Sequence, residues 1–387
     1  MTANLDVSAR TRVIEGVGSV VQLGAEACQL GKRVLLVTDA GVVRAGHVER
    51  ALGILAAAGL EVHCWSETKG NPTTDDVDRC AAVAAEFNPD LFVGFGGGSS
   101  IDVAKGANFV WKGGGKLADY RGRGTGKLDL IPLIAVPTTA GTGTEVQSFA
   151  LIGDPVTHQK MACGHPSAAP RVAILDAALT LSVPAFVTAC TGFDTIGHAL
   201  EVAVTKPGGD ISLAFAEEAF GLAVAALPLV LRTPGNVAAR ADMLRAAALA
   251  GRGIENSMLG AAHSMANPLT AHFGVPHGQA VGTMLPLVVA YNQGVKETVQ
   301  PYRKLALSAG LARADSSPTE VVHGILRALD VLLETAEFPR GLGAHGVTLS
   351  DCEALGQEAA EQWTAQFNPR PVGAEEFTQM FRTAVER

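Results

Sequence analysis

The sequence lacks the features of two common classes of protein. It has six scattered cysteines, none of them in a CxxC pair: Cys28, Cys64, Cys80, Cys163, Cys190 and Cys352. Neither a disulfide framework nor a thiolate zinc site is therefore expected. The net charge is −8, whereas a nucleic-acid binder usually presents a basic face. We expect no nucleic-acid partner.

Targeting signals and long apolar runs are also absent. The N-terminal segment MTANLDVSARTRVIEG is polar and lacks the basic and then apolar build of a signal peptide. The longest apolar run, Ala219 to Leu231, contains Pro228 and is shorter than the roughly 20 residues that a membrane-spanning helix needs. We expect a cytoplasmic protein that does not enter a membrane.

The sequence pattern changes near Pro184. Before this residue, buried strands alternate with helices such as the amphipathic stretch Thr74 to Phe87, which predicts a largely parallel sheet covered by helices. After it, the chain is rich in Ala and Leu with helical periodicity. A chain of 387 residues is also long enough for two domains. We predict an α/β domain followed by an all-α domain.

Two glycine-rich loops follow predicted strands. In Gly96 to Ser100, bare amides, serine hydroxyls and the start of a helix near Ile101 would favour a pyrophosphate, although a turn capped by Ser99 needs no ligand. In Pro137 to Glu145, four threonines alternate with glycines and offer hydroxyls and amides to a sugar or phosphate. Two such loops at strand ends predict a nucleotide site.

Asp39 ends the apolar strand VLLVT. At this position an acidic residue can accept hydrogen bonds from an adenosine ribose and repel a 2′-phosphate, which favours NAD(H) over NADP(H). The alternative is that Asp39 only caps the following helix.

Four side chains in the second half are of types that bind divalent metals. Asp194 and His198 are four apart in a stretch without breakers, so on a helix they share one face, although such a pair is usually only a polar surface. His263 and His277 are fourteen apart and would lie roughly 21 Å apart on one straight helix.

Three residues between His263 and His277 explain how both histidines could reach one ion in spite of this separation. Pro268, Gly274 and Pro276 predict a break, and hence a helix, a turn and a second helix that returns towards His263. Three imidazoles and one carboxylate suit Fe(II) or Zn(II) and leave room for a substrate oxygen.

These motifs together resemble the iron-containing (group III) alcohol dehydrogenase family. The matching segments are GGGSSIDVAK (Gly96 to Lys105), PTTAGTGTEV (Pro137 to Val146), VAILDAALTLSVP (Val172 to Pro184), FDTIGHALE (Phe193 to Glu201) and H-x13-HG (His263 to Gly278). The resemblance implies an α/β N-terminal dinucleotide-binding domain with a Rossmann-like parallel sheet, residues 1–183, and an all-α catalytic domain, residues 184–387. It also implies an active site between them and a homodimer or larger assembly.

The resemblance further implies residue roles. One divalent metal, preferably Fe(II) and alternatively Zn(II), would be bound by Asp194, His198, His263 and His277. NAD would be contacted by Asp39, Asn71, Gly97, Gly98, Ser99, Thr138, Thr139, Thr142, Lys160 and Leu179. Only the resemblance singles out Lys160 and Leu179.

One position departs from the family pattern. Many members carry a histidine four residues after the first downstream ligand, where this chain has Asn267. Asparagine cannot titrate near neutral pH, so a proton relay through this position is in doubt. His272 is a candidate substitute, and the alternative is an ordinary surface or core histidine.

We therefore predict transfer of a hydride between a small alcohol at the metal and nicotinamide, or the reverse reduction of an aldehyde or ketone. A cyclase or lyase similar to dehydroquinate synthase is an alternative, but its anionic substrate would call for basic residues, and His263 to Asn292 contains no Lys or Arg. A non-catalytic assembly protein and a metal-independent reductase of the maleylacetate type are further alternatives, which the complete set of motifs disfavours.

Overall fold

A computed structural model gives the fold of residues 11–156 and 160–387. These residues form two compact units, and the main division falls between Val183 and Pro184. The first unit ends at Thr139 and resumes from Gly143 to Val183, because Ala140–Thr142 belongs to the second unit. The single boundary that the sequence predicts near Pro184 does not include this assignment of three earlier residues to the second unit.

The first unit contains a parallel six-stranded sheet, as predicted. The strands of the unit are β1 (Arg12–Glu15), β2 (Arg33–Asp39), β3 (Glu61–Thr68), β4 (Leu91–Gly96), β5 (Gly122–Arg123), β6 (Leu133–Pro137), β7 (Phe149–Gly153), β8 (Lys160–Gly164) and β9 (Val172–Leu175). The large sheet has the order β1-β9-β6-β4-β2-β3, and a small sheet has the order β5-β8-β7. Strands β4 and β6 are buried along their whole length, as expected for parallel strands covered on both faces.

Helices of the first unit follow local signals. They are α1 (Leu23–Cys28), α2 (Ala40–Arg44), α3 (His47–Ala57), α4 (Thr74–Phe87) and α5 (Gly98–Asn108). Helix α4 has the predicted bounds, because a capping box of Thr73 and Asp76 starts it and Asn88 in a left-handed conformation ends it. Helix α5 begins at Gly98 rather than near Ile101, so Ser99 lies inside its first turn and Gly97 occupies the N-cap position.

The regular secondary structure of the second unit is helical in all its described residues. Its helices are α6 (Ala185–Val204), α7 (Asp210–Arg232), α8 (Val237–Glu255), α9 (Ala261–Phe273), α10 (His277–Tyr291), α11 (Lys296–Ser308), α12 (Pro318–Thr335), α13 (Cys352–Glu361) and α14 (Ala374–Val385). One core joins them, and it includes the fully buried rings of Phe193, Phe220, Phe377 and Phe381.

Helix α7 corrects the expectation about the apolar run. The run is the C-terminal half of a 23-residue helix, which by length and composition could cross a membrane, and Pro228 does not end it. It is the one helix of this kind among residues 11–156 and 160–387. This is weak evidence for a membrane, because helices in the cores of soluble proteins can have the same length and apolar composition. One face of α7, including Ala219, Phe220 and Leu227, is buried in the core of the unit.

Candidate metal centre and cofactor loops

Helix α6 supplies two of the predicted metal ligands. Asp194 and His198 lie one turn apart, and Nε2 of His198 is 3.4 Å from Oδ1 of Asp194. Both side chains are buried. The alternative of an ordinary polar surface is therefore wrong, since a buried carboxylate requires partners that offset its lost hydration.

The other two histidines lie on either side of a turn. His263 is in the first turn of α9, and His277 is the first residue of α10, so the predicted helix, turn and helix are confirmed. The break is made by Gly274, which has a left-handed φ of 64°, and by Pro276, the N-cap of α10. Pro268 was wrongly expected to contribute, for it lies inside α9 without ending the helix.

Close backbone packing brings His277 to helix α6. A Cβ atom added to Gly278 would lie 1.9 Å from the carbonyl oxygen of Cys190, so only glycine allows α10 to begin here. Cys190 is one turn before Asp194 on α6. The glycine after His277 thus lets this imidazole lie beside the carboxylate, with Nε2 3.8 Å from Oδ1 of Asp194.

The four predicted ligands converge on one carboxylate oxygen. Nε2 of His263 is also 3.4 Å from Oδ1 of Asp194, and its ring stacks on that of His198 with centroids 4.8 Å apart. Asp194, His263 and His277 offer ligand atoms that all lie within 4.8 Å of one another. An ion with tetrahedral bonds of about 2.1 Å separates its ligand atoms by about 3.4 Å. The spacing of these three residues therefore fits one divalent cation, and His198, which is not in this group, adjoins it through its 3.4 Å contact with Asp194.

Burial and charge set the protonation of this cluster. Burial would raise the pKa of Asp194, but the surrounding imidazoles hold it well below its ordinary value. Burial lowers the pKa of His198 to about 4, against the attraction of Asp194, so this ring is neutral near pH 7. A neutral imidazole keeps the lone pair that a metal requires.

His263 is protonated more readily than His198. Burial would lower its pKa, but the charge of Glu201 and hydrogen bonds to Asp194 and Glu201 raise it to about 9. The proton on His263 thus balances the negative charge of the cluster, and a divalent cation would replace it.

Glu201 is a polar residue of the site that the sequence did not single out. Its Oε2 lies 2.5 Å from Nδ1 of His263, and its carboxylate accepts hydrogen bonds from the amides of Gly260 and Ala262 at 3.0 and 2.6 Å. Its position seven residues after Asp194 on α6 was the available signal. A glutamate at that spacing is too common to be distinctive.

The two candidate catalytic residues have other partners. Nδ2 of Asn267 donates a hydrogen bond to Oε1 of Gln362 at 3.0 Å. His272 has a half-exposed side chain, and its Nε2 is 2.6 Å from Oε2 of Glu358 on α13. The alternative of an ordinary surface histidine thus fits His272 better; a catalytic role of Asn267 and a proton relay through His272 stay predictions.

In the first unit, three strand ends bring the cofactor candidates together. Asp39 ends β2, Gly97 follows β4, and Thr138 follows β6, with its amide donating to the carbonyl of Gly96 at 2.9 Å. The Ser100 hydroxyl lies 3.4 Å from Oδ2 of Asp39. Strands β2, β4 and β6 are neighbours in the sheet, so these residues line one edge.

Asp39 also caps helix α2, which was the alternative interpretation of this residue. Its Oδ1 accepts hydrogen bonds from the amides of Gly41 and Val42 at 2.8 and 3.1 Å, which caps α2. A carboxylate has further acceptor positions on its second oxygen. Capping and a contact to a ribose are therefore compatible.

The remaining cofactor candidates occupy different surroundings. Gly98 and Ser99 form the first turn of α5, and Thr139 ends the first stretch of the α/β unit. Lys160 begins β8 and acts electrostatically on Asp102. Asn71 is exposed with a left-handed φ of 54°, while the Leu179 side chain is buried, which leaves only its backbone for a ligand.

Thr142 lies with the helical unit, within Ala140–Thr142. The Thr195 hydroxyl contacts the carbonyl oxygens of Ala140 and Gly141 at 3.3 Å each. Thr195 follows Asp194 on α6, so its hydroxyl joins Ala140 and Gly141 to the helix that carries Asp194 and His198. This part of the threonine loop therefore packs beside the candidate metal ligands.

A nucleotide-type parallel sheet and a helical unit with a buried Asp/His cluster define a class of nucleotide-dependent metalloenzymes. Comparison with known families makes this specific. The sequence profile "Iron-containing alcohol dehydrogenase" matches residues 10–177, and the profile "Fe-containing alcohol dehydrogenase family, C-terminal" matches residues 188–385. The chain belongs to the iron-containing alcohol dehydrogenase family, as its motifs indicated.

Similar proteins cover nearly the whole chain. The NAD-dependent methanol dehydrogenase of Bacillus methanolicus is 31% identical over 96% of this chain and 97% of its own length. The 1,3-propanediol dehydrogenase of Klebsiella pneumoniae is 31% identical over 95% of both chains. A crystal structure of 1,3-propanediol oxidoreductase has a TM-score of 0.92 at 31% identity and covers 96% of this chain and 97% of that one. The protein is an oxidoreductase that acts on CH–OH donors, and neither the cyclase nor the assembly alternative is favoured.

Proposed function

We propose that this protein is an NAD-dependent dehydrogenase of small alcohols, and a reductase of the corresponding aldehydes or ketones, with its divalent metal held by Asp194, His198, His263 and His277. The observation that carries the proposal is the convergence of three imidazole nitrogens, within 3.8 Å, on one buried carboxylate oxygen. Iron is the first choice because of the family, and zinc suits the same donors.

The bound metal would supply Lewis acidity, which favours loss of the alcohol proton and polarises the carbonyl in the reverse direction. Asp194 contributes negative charge, and its low pKa keeps it ionised at any working pH. His198 stays neutral near pH 7, so it donates a lone pair without adding charge. Asp194, His198 and His263 are buried, whereas the His277 side chain is 20% exposed, so water reaches the cluster only on the His277 side.

The strand ends of the first unit support NAD as the cofactor. Gly97, Gly98 and Ser99 offer backbone amides and the N-terminus of α5 to a pyrophosphate. Thr138, Thr139, Thr142, Asn71, Lys160 and Leu179 are proposed contacts on the basis of the resemblance. The carboxylate of Asp39 would accept from the ribose and repel a 2′-phosphate, which favours NAD(H) over NADP(H).

The substrate class comes from the relatives. Those described above are named for methanol and 1,3-propanediol, both small alcohols. We propose that the present chain also acts on small alcohols. We further propose a cytoplasmic location and a homodimer or larger homo-oligomer. Light scattering after size-exclusion chromatography would measure the assembly, and a monomer at micromolar concentration would contradict that part.

The test is anaerobic reconstitution with Fe(II) or Zn(II), followed by measurement of NADH consumption over a panel of aldehydes and ketones. We expect turnover with at least one small carbonyl and lower activity with NADPH. His277→Ala should abolish metal retention and turnover. His323→Ala is the matched control, because His323 is an exposed histidine on α12 outside the cluster, and it should keep both. Absence of turnover with either metal would refute the proposal.

A further inference from the structure

The carboxylate of Glu201 lies behind His263, on the side of the ring opposite Asp194. Its Oε2 is 2.5 Å from Nδ1 of His263, whereas Nε2 of the same ring is 3.4 Å from Oδ1 of Asp194. Glu201 and His263 are both buried, with 3% and 4% of their surface exposed. Water therefore does not compete for this contact.

An ionised carboxylate can only accept hydrogen bonds, so the Nδ1 of His263 must carry the proton that points to it. The lone pair of a neutral His263 is then on Nε2, which faces Asp194. The His198 ring stacks on His263 at a centroid distance of 4.8 Å and restrains its plane. We infer that Glu201 is a positioning residue, which fixes the tautomer and orientation of His263 so that Nε2 is presented to the divalent cation. This inference rests on the metal site of the proposed function.

A purely structural role is the competing explanation. The amides of Gly260 and Ala262, at the start of α9, donate to Glu201 at 3.0 and 2.6 Å. Negative charge at a helix N-terminus is stabilising on its own. A decisive experiment must therefore separate support of α9 from action through His263.

Binding of Co(II), measured by its visible absorption in the absence of nucleotide and alcohol, makes this separation. In Glu201→Gln the side chain keeps its size, but one carboxylate oxygen becomes an amide that donates. If the amide nitrogen replaces Oε2, both Nδ1 of His263 and the Gly260 amide lose their acceptor; if it replaces Oε1, the Ala262 amide faces a donor and His263 keeps only an uncharged acceptor. We expect Co(II) affinity to fall about 10- to 100-fold, the usual effect of losing a partner of a metal-bound histidine.

Two comparisons show whether a fall in Co(II) affinity arises from the contact with His263 or from loss of support for α9. Ser264→Ala removes hydrogen bonds of the same first turn, to the Gly260 carbonyl at 2.9 Å and to Thr364 at 2.6 Å, without touching a ligand. It should lower the melting temperature and leave Co(II) affinity within about threefold, because neither hydrogen bond involves the His263 ring or the Glu201 carboxylate. In a His263→Ala background, Glu201→Gln should have almost no further effect on the Co(II) affinity.

The tautomer can also be observed without any variant at Glu201. In Zn(II)-loaded wild-type protein with ¹⁵N-labelled histidine, we expect one imidazole with a protonated Nδ1 protected from exchange that is missing in His263→Ala. Three results would each overturn the inference while leaving the proposed function standing. They are an unchanged Co(II) affinity in Glu201→Gln, an equal loss of Co(II) affinity on Glu201→Gln with and without His263, and a deprotonated Nδ1 in the Zn(II)-loaded protein. Failure of the wild-type protein to bind Co(II) or Zn(II) would overturn the proposed metal site and the inference with it.

Discussion

The start of α10 touches α6 through backbone atoms, since a Cβ at Gly278 would lie 1.9 Å from the Cys190 carbonyl oxygen. The contact places His277, at the N-terminus of α10, within reach of Asp194, although the two residues are 83 positions apart. The geometry of the proposed metal centre therefore depends on a glycine that is not itself a candidate ligand.

Gly278→Ala should separate these helices. The added methyl cannot fit without movement of α6 or α10, so we expect a loss of about 1–3 kcal/mol in stability, typical of overpacking, and weaker Zn(II) retention. Calorimetry and metal analysis after gel filtration measure both. The control is Gly53→Ala on α3, where an added Cβ meets nothing within 4 Å. Full zinc content in Gly278→Ala would show that the contact does not position His277.

Asp39→Ser should change the cofactor preference without removing the helix cap. Serine is also a good N-cap residue, so α2 should persist. Loss of the charged acceptor should lower kcat/KM for NADH about 10- to 100-fold, from roughly 1.5–3 kcal/mol for a hydrogen bond to a charged group, and reduce the preference over NADPH. Steady-state kinetics with both cofactors provide the measurement. An unchanged NADH/NADPH ratio would leave Asp39 as a cap alone.

Glu145 should make stability depend on pH. Burial raises its pKa from 4.5 to about 7. The folded state therefore binds this proton more tightly than the unfolded state, and stability falls as the pH rises from about 4.5 to 7, by about 3 kcal/mol at most. Glu145→Gln should remove this contribution, so its unfolding free energy relative to wild type should be higher at pH 7.5 than at pH 5. Urea unfolding of both proteins at pH 5 and pH 7.5 measures this difference. The same difference in unfolding free energy at the two pH values would contradict the assignment.

Lys105 should be essential to the stability of the first unit. Its buried ammonium donates to the carbonyls of Thr144, Gln147 and Phe149 at 2.6 to 2.8 Å and lies 4.0 Å from Asp102. Lys105→Met removes the charge and leaves Asp102 buried, so we expect a loss of about 3–5 kcal/mol. Thermal unfolding would measure it. Lys127→Met, whose side chain is 85% exposed, is the control and should change stability by less than about 0.5 kcal/mol.

Local patterns account for the parts of the fold that were predicted closely. Helix α4 begins and ends where the sequence predicted, because Thr73, Asp76 and Asn88 act on backbone groups only a few residues away. The turn between His263 and His277 is similar, since Gly274 and Pro276 break the helix by their own backbone preferences. By contrast, the proline inside α9 and the start of α5 at Gly98 depend on surroundings that a short window of sequence does not contain.

The sequence by itself determined the types and spacing of the candidate metal ligands, because these follow from helix geometry and the chemistry of carboxylates and imidazoles. Only the tertiary structure decided that Glu201 meets His263 across 62 positions of sequence, and that His272 turns to Glu358 instead of the cluster. Those contacts arise from the packing of whole helices. The energy of that packing is spread over many distant side chains, and no local pattern reports it.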